Sequence, residues 1–416
     1  MVAWARGSNI YEVNIRQYTP EGTFAAFSRH LPRLKDMGVE ILWLMPITPI
    51  SIKTRLGTLG SYYACSSYTD INPEFGTLAD FKKLVNEAHA LGFKIIIDWV
   101  ANHTGWDHHW TTEHPGWYVK DIEGNFTERN GWNDVIDLDY DNPDMRVAMI
   151  NAMKFWVTEY KIDGFRCDMA HLVPLDFWVE ARAQCDVMAP LFWLAECEEV
   201  SYHKVYDTSY AWWWMHETEK YAKGNASLND IRQVLHAYTQ YPEGAIKLFF
   251  TSNHDENSWN GTEYEKYGNT AKAWAVFTIT WQGMPLIYSG QEIPNTKRLL
   301  FFDKDVIEWK EPLALHDFYR TLLQLRKGNK AIREGETFIL PSQNDNQLMA
   351  YLRRNGNEVV LVLLNLSGND RIKIAVTHEW LTGTFRNIFS GLHYPFNGKE
   401  DFELQGGEYF VYEKLS

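Results

Sequence analysis

The sequence predicts an α/β protein: a (β/α)8 TIM barrel with a small inserted subdomain after strand 3, followed by a C-terminal antiparallel β-sandwich domain. Three observations predict it. Short apolar runs rich in strand formers alternate with amphipathic helical segments, the pattern of a parallel sheet covered by helices. The alternation breaks once, from His103 to about Asp141, in a polar, aromatic, Gly-bearing stretch too long for an ordinary strand-to-helix loop. From about Gly335 the pattern changes to short strands joined by Asn-Gly-type turns, as in "QLMAYLRRNGNEVVLVLLNLS" and "GEYFVYEK".

The strand runs are "IYEVNI" from Ile10, "EILWLMPI" from Glu40, "FKIIIDWV" from Phe93, "KIDGFRCD" from Lys161, "LFWLAEC" from Leu191, "KLFFTSNHD" from Lys247 and "MPLIYSG" from Met284. A weaker run, "KVYDTSYAWWW", brings the number to the eight that close a barrel. Between them lie segments such as "TLADFKKLVNEAHALG", apolar at spacings of three and four and ending at Gly92. A doubly wound open sheet is the alternative, but no Gly-rich nucleotide loop follows the first strand. The expected units are residues 1–102 and 142–334 for the barrel, 103–141 for the insertion and 335–416 for the β domain.

Composition narrows the function. Of 416 residues, 45% are hydrophobic and 23% charged, a soluble globular balance. Eighteen Trp and 22 Tyr suit either a bulky core or a surface that stacks on flat ligands such as sugar rings. A net charge of −14 argues against a nucleic acid partner and for a neutral substrate. The longest apolar runs are too short to span a bilayer, and "MVAWARGSNIYEVNIRQ" has no continuous signal-peptide core, so the chain is expected to be soluble, either cytoplasmic or exported with its signal removed. Cys65, Cys167, Cys185 and Cys197 show no Cys-x-x-Cys spacing and read as free buried thiols rather than a disulfide or metal site.

Polar residues at the carboxyl ends of barrel strands converge on one cavity. The third strand offers Asp98, Asn102 and His103, the fourth Arg166, Asp168 and His171, the fifth Glu196, and the seventh His254 and Asp255. Singly, each reads as a cap, a core histidine or an ion pair, and Arg166–Asp168 reads first as a structural pair. Together, three carboxylates with an arginine beside one of them suit retaining glycosidic cleavage. A cation keeps a nearby carboxylate ionised, which makes Asp168 the nucleophile. Glu196 directly follows the apolar "LFWLA" and so is the acid/base, protonated through a raised pKa.

The motifs "DWVANH" (98–103), "GFRCDMAH" (164–171), "LAEC" (194–197) and "FTSNHDEN" (250–257), in that order, resemble the α-amylase family of glycoside hydrolases, glycoside hydrolase family 13. "GVEILWLMPI", "INPEFGT", "VIDLDYDNPDMR" and "GMPLIYSGQE" extend the likeness from about Ile10 to Glu292. The resemblance implies nucleophile Asp168, acid/base Glu196 and transition-state stabiliser Asp255, with His103, His254 and Arg166 around the substrate and Tyr63 stacking on the reacting sugar. It implies hydrolysis of α-1,4 bonds in starch-like glucans and maltooligosaccharides. The alternatives are a neopullulanase, a cyclomaltodextrinase or a glucan transferase of the same family, and, more distantly, a catalytically dead binding subunit. The chain departs from the family at Ser67, where Asp is frequent, in the approach loop "PISIKTRLGTLGSY", and at "MAH" after the nucleophile.

The resemblance also implies a structural calcium held by Asn102, Asp137 and the His171 carbonyl, against the alternative that Asp137 caps a turn; no organic cofactor is expected. His108 and His109 lack further zinc ligands and read as solvated loop histidines. Trp212 to Trp214, taken as strand residues, alternate faces, so barrel packing is expected over a sugar platform. Trp106, Trp110, Trp117 and Trp132 are the platform candidates in the insertion.

Overall fold

A computed structural model of the chain describes residues 2–342, 344–368 and 370–415. Eight parallel strands close a barrel: β1 (Ile10–Val13), β2 (Ile41–Leu44), β3 (Lys94–Trp99), and, past the two strands of the insertion, β4 (His103–Gly105) and β5 (Val135–Asp137), then β6 (Gly164–Cys167), β7 (Phe192–Ala195), β8 (Thr208–Tyr210), β9 (Ile246–Phe249) and β10 (Met284–Tyr288). The barrel order is β1-β10-β9-β8-β7-β6-β3-β2. β1, β2, β6 and β7 are buried at every residue. A parallel sheet covered by helices outside and packed within leaves no solvent face, which is why these runs are continuously apolar rather than alternating.

Local chemistry sets the element boundaries. The helix Leu78–Ala90 opens with a capping box in which Thr77 and Asp80 satisfy each other's backbone N–H, and it buries Phe81, Leu84, Val85 and Ala88 along one stripe. The helix Pro143–Tyr160 starts on an Asn142 cap with Pro at its first position, where no N–H is needed. Gly164 opens β6 because a Cβ there would lie 2.1 Å from the Phe192 carbonyl oxygen of β7. Only glycine lets those two strands pair at this register.

The run "KVYDTSYAWWW" divides. β8 ends at Tyr210, and the three tryptophans begin the helix Trp212–Ala222, which corrects the strand reading. Consecutive residues on a helix fan out by about 100°. Trp214 is therefore buried against Phe277, Trp213 is half exposed, and Trp212 stacks on His216.

In the insertion, β4 and β5 pair antiparallel, beside a cluster of Tyr68, Trp110, Trp117 and Tyr118. His109 is exposed, but His108 is buried against Tyr68 and Trp110, so only one of the two is a solvated loop histidine. The ring fills the gap between those aromatics, and burial pushes its pKa well down.

The carboxyl-terminal strands β11 (Glu336–Ile339), β12 (Leu348–Asn355), β13 (Glu358–Asn365), β14 (Ile372–Asn387), β15 (His393–Leu404) and β16 (Tyr409–Lys414) form one antiparallel sheet, order β11-β12-β13-β16-β14-β15. Alternation decides which face packs where. Leu348, Ala350 and Leu352 of β12 join Leu361, Leu363 and Phe385 in a core of the sheet's own, while Met349 and Tyr351 join Val360 and Val362 in the main core with the barrel. Tyr351 lies 4.9 Å from Trp281, and its hydroxyl is 2.6 Å from Thr280 Oγ1. All four cysteines are buried and free. Among the described residues no helix is long and apolar enough to cross a membrane.

Candidate active site

The site is organised around one buried cation. Arg166 is the third residue of β6, its side chain has no exposed surface, and β6 pairs with β3 so that Asp98 and Arg166 face each other in register. Arg166 Nη1 donates to Asp98 Oδ1 at 2.9 Å and to Asp168 Oδ1 at 2.8 Å; Nη2 lies 2.7 Å from Glu196 Oε2 without the alignment of a hydrogen bond; and Nε donates to the Tyr210 hydroxyl at 3.2 Å. The Arg166–Asp168 pair is therefore real but belongs to a larger cluster: three carboxylates from the ends of β3, β6 and β7 share one guanidinium.

One cation cannot neutralise three buried carboxylates, and the pKa values register the excess. Burial pushes the Asp98–Asp168 pair up to about 6, against the pull of Arg166. Glu196 goes further, to about 7, because burial and the charges of Asp168 and Asp255 outweigh Arg166 and the hydrogen bond from the Met169 N–H at 2.9 Å. Asp98 is also tied down by Trp43 Nε1 and the Tyr63 hydroxyl, which leaves it a structural anchor, whereas Asp168 and Glu196 open into the cleft.

Asp255 follows β9 at the entrance to a π-helical turn, Glu256–Asn260. Its side chain is 38% exposed, and its Oδ2 lies 3.3 Å from His254 Nε2. Burial raises its carboxyl, but His254 outweighs that and holds it below the usual range. Asp255 thus stays ionised where Glu196 holds its proton. The π turn rests on a buried ion pair, Lys266 Nζ to Glu256 Oε2 at 2.8 Å, and Glu256 also accepts from Asn260. Tyr63 stacks on His254 at 5.4 Å and on Phe301 at 6.2 Å. His103 is buried beneath Trp132, and burial pushes its pKa down to about 4, leaving a neutral ring.

The cleft has a volume of about 330 Å³ and brings Tyr63, His103, Asp168, Glu196 and Asp255 to one surface. Of the four tryptophans in the insertion only Trp132 lines it; Trp110 is buried, Trp117 stacks on His114, and Trp106 donates to the Asn133 carbonyl. Trp259, Phe301 and Phe302 complete the wall and escaped the sequence reading. Their only signal was aromatic content after the seventh and eighth strands. Glu12, which supports His254 from β1, escaped as well. A larger groove of about 800 Å³, between the barrel helices and the carboxyl-terminal sheet, brings no pair of facing carboxyl groups together.

The residues proposed for calcium do not suit a divalent cation. Asp137 is fully buried, but Arg129 Nε donates to its Oδ2 at 2.7 Å and Asn102 Nδ2 to its Oδ1 at 3.3 Å. A guanidinium already compensates the charge that calcium would need. The Tyr202 hydroxyl donates chiefly to the Val173 carbonyl at 2.9 Å and lies 3.3 Å from the His171 carbonyl. Among the described residues no cluster of three His, Cys, Asp or Glu side chains could hold a metal.

A closed barrel with an arginine-centred carboxyl cluster at the carboxyl ends of its strands defines a glycoside-cleaving class of site. The family described as "Alpha amylase, catalytic domain" matches residues 6–120 and 112–188. A noncanonic maltogenic α-amylase from Thermotoga neapolitana is 31% identical with a TM-score of 0.91, and an α-amylase from Lactobacillus plantarum is 30% identical with a TM-score of 0.90; each alignment covers 99% of both chains. An α-amylase of Haloarcula japonica is 26% identical over 87% of this chain, which spans 56% of that relative's length. The chain belongs to the α-amylase family.

Proposed function

We propose that the protein is a retaining glycoside hydrolase that cleaves α-1,4-glucosidic bonds in starch-like glucans and maltooligosaccharides. The observation that carries this reading is the division of labour around Arg166: Asp168 hydrogen-bonded to the guanidinium, Glu196 raised highest, and Asp255 held low by His254. Asp168 attacks the anomeric carbon while Glu196 protonates the departing oxygen; Glu196 then takes a proton from water, which displaces Asp168. Holding both carboxyls on one guanidinium keeps them close, as double displacement requires. Asp255, held ionised by the buried His254 behind it, faces the positive charge that grows on the sugar ring.

A second feature favours short products. The loop from Ile50 to Gly60 is fastened at both ends of its span, to Asp303 and Phe302 through Thr58 and Leu59, and to Asp107 through the Ile52 and Lys53 N–H groups. Strapped between the insertion and the loop after β10, it contributes Leu56 to the cleft wall. This supports release of maltose-sized products, and the Thermotoga neapolitana relative is described as maltogenic.

The test is the configuration and size of the first product. Proton NMR of fresh digests should show the α anomer first, and β first would overturn retention. Starch, pullulan and cyclodextrin digested side by side should yield maltose predominantly from starch. Predominant cleavage of the cyclic substrate would move the protein to the cyclomaltodextrinases.

A further inference from the structure

Glu12 lies one residue from the end of β1, is fully buried, and places its Oε1 2.5 Å from His254 Nδ1. Its Oε2 has no hydrogen-bond partner among the described residues. On the other side of the ring, His254 Nε2 lies 2.8 Å from the Tyr63 hydroxyl and 3.3 Å from Asp255 Oδ2. The Tyr63 hydroxyl spends its own proton on Asp98 Oδ2 at 3.1 Å, so towards His254 it is an acceptor. Nδ1 therefore meets a carboxylate, and Nε2 meets a carboxylate and a hydroxyl oxygen. Both ring nitrogens are donors only when the ring is the imidazolium.

We propose that Glu12 is a positioning residue for the reaction: from behind the barrel wall it holds His254 as a fixed imidazolium whose Nε2 proton orients Asp255 and Tyr63 at the sugar-binding surface. The groups that face His254 agree. Glu12 comes from β1, Trp43 from β2 presents its ring edge at 5.9 Å, Tyr63 and Phe301 lie along the ring, Asp98 comes from β3, and Asp255 is adjacent. Arg166 is the opposing cation, and it pairs with Asp98 and Asp168. Tyr210 and Tyr288 stand beside Glu12 with unionised hydroxyls, since burial raises both. Burial alone would lower the His254 pKa; Asp255 and Glu12 outweigh it and hold it well above the ordinary histidine value. Burial raises the Glu12 carboxyl in turn, while His254 and Arg166 oppose that. Removing the Glu12 charge leaves the ring with one carboxylate neighbour instead of two.

The test compares Glu12→Gln with Glu12→Asp in the full-length protein. With ¹⁵N-histidine labelling, His254 in the wild type should keep both ring protons well above the ordinary histidine range, and in Glu12→Gln it should titrate at a clearly lower pH than in the wild type. The ratio of Glu12→Gln to wild-type kcat/KM on maltotriose should fall by about twofold or more as pH rises from 5 through the pH at which His254 of the variant loses its proton, a comparison in which the titration of Glu196 cancels. Glu12→Asp keeps the charge and should keep that ratio flat. A ratio for Glu12→Gln that is equally low at every pH, or His254 titrating identically in all three proteins, would overturn the proposal. If Glu12→Gln does not fold, His254 of wild type and Glu12→Asp decides: titration of either ring near the ordinary value of about 6.5 sinks it. The activity assay rests on the glucan reading; the NMR titration uses no substrate, so a protein inert on glucans whose His254 shifts as stated loses only that reading.

Discussion

At the scale of single residues, the protein stores unfavourable charge where it does chemistry. Glu196 is buried with a pKa near 7, so the folded state prefers its proton. A carboxyl raised on folding supports stability below its unfolded value, about 4.3, and that support is lost as pH rises through 7. The raised value corresponds to a penalty on the order of 3 kcal/mol at pH 8. Glu196→Gln should accordingly melt higher than the wild type at pH 8 and the same at pH 4; a lower melting point at pH 8 would show that Arg166 repays the charge in full. The same variant should lose most activity on starch, yet turn over an α-maltosyl fluoride, faster with added azide, because that leaving group needs no proton. Rescue in Asp255→Asn instead would exchange the two roles. Wild-type activity should follow a bell whose alkaline limb reports Glu196, whereas Asp168→Asn should stay folded and lose several orders of magnitude of turnover.

At the scale of elements, two supports hold the site in place without touching substrate. The π turn that carries Asp255 and Trp259 sits on the buried Lys266–Glu256 pair. Lys266→Met leaves Glu256 buried and unpaired, which costs about 3–5 kcal/mol, so chemical denaturation should detect it directly. KM for maltotriose should rise as well, because the same turn carries Trp259 to the cleft wall. In the insertion, Arg129 stands against Asp137. We infer that this arginine, rather than calcium, neutralises that carboxylate. A chelator should leave the wild-type melting temperature unchanged, while Arg129→Ala should melt lower and regain stability with added calcium. Loss of wild-type stability in chelator, restored by calcium, would reverse the inference.

At the scale of the whole molecule, one face of the carboxyl-terminal sheet is part of the barrel's own core. Tyr351, Val360, Val362 and Leu364 pack into the cluster that contains Phe277 and Trp281. Cutting the chain before Gly335 exposes that apolar face of the barrel, and exposed patches of this kind drive association. The truncated protein should be insoluble, as sedimentation of a cell lysate would show. A soluble, fully active truncation would mean that the sheet is an independent unit.

Much of this was legible in order along the chain. Continuous apolar runs, helix caps such as Thr77–Asp80 and the four motifs around Asp98, Asp168, Glu196 and Asp255 are local patterns, and local patterns survive in sequence. Their convergence followed from the rule that barrel strands deliver their carboxyl ends to one face. What the sequence could not carry was partnership across the barrel. Asp98 meets Arg166 through strand register, Glu12 meets His254 across 242 residues, and Arg129 reaches Asp137 from a loop of the insertion. The tryptophans after Tyr210 went to a helix for the same kind of reason: periodicity over three residues cannot separate strand from helix, and the packing of Trp214 on Phe277 decides it. The sequence by itself determined the class of fold and the kinds of groups at the site. The tertiary structure decided their charge states, because the pKa of a buried group depends on every charge near it in space and on none merely near it in the chain.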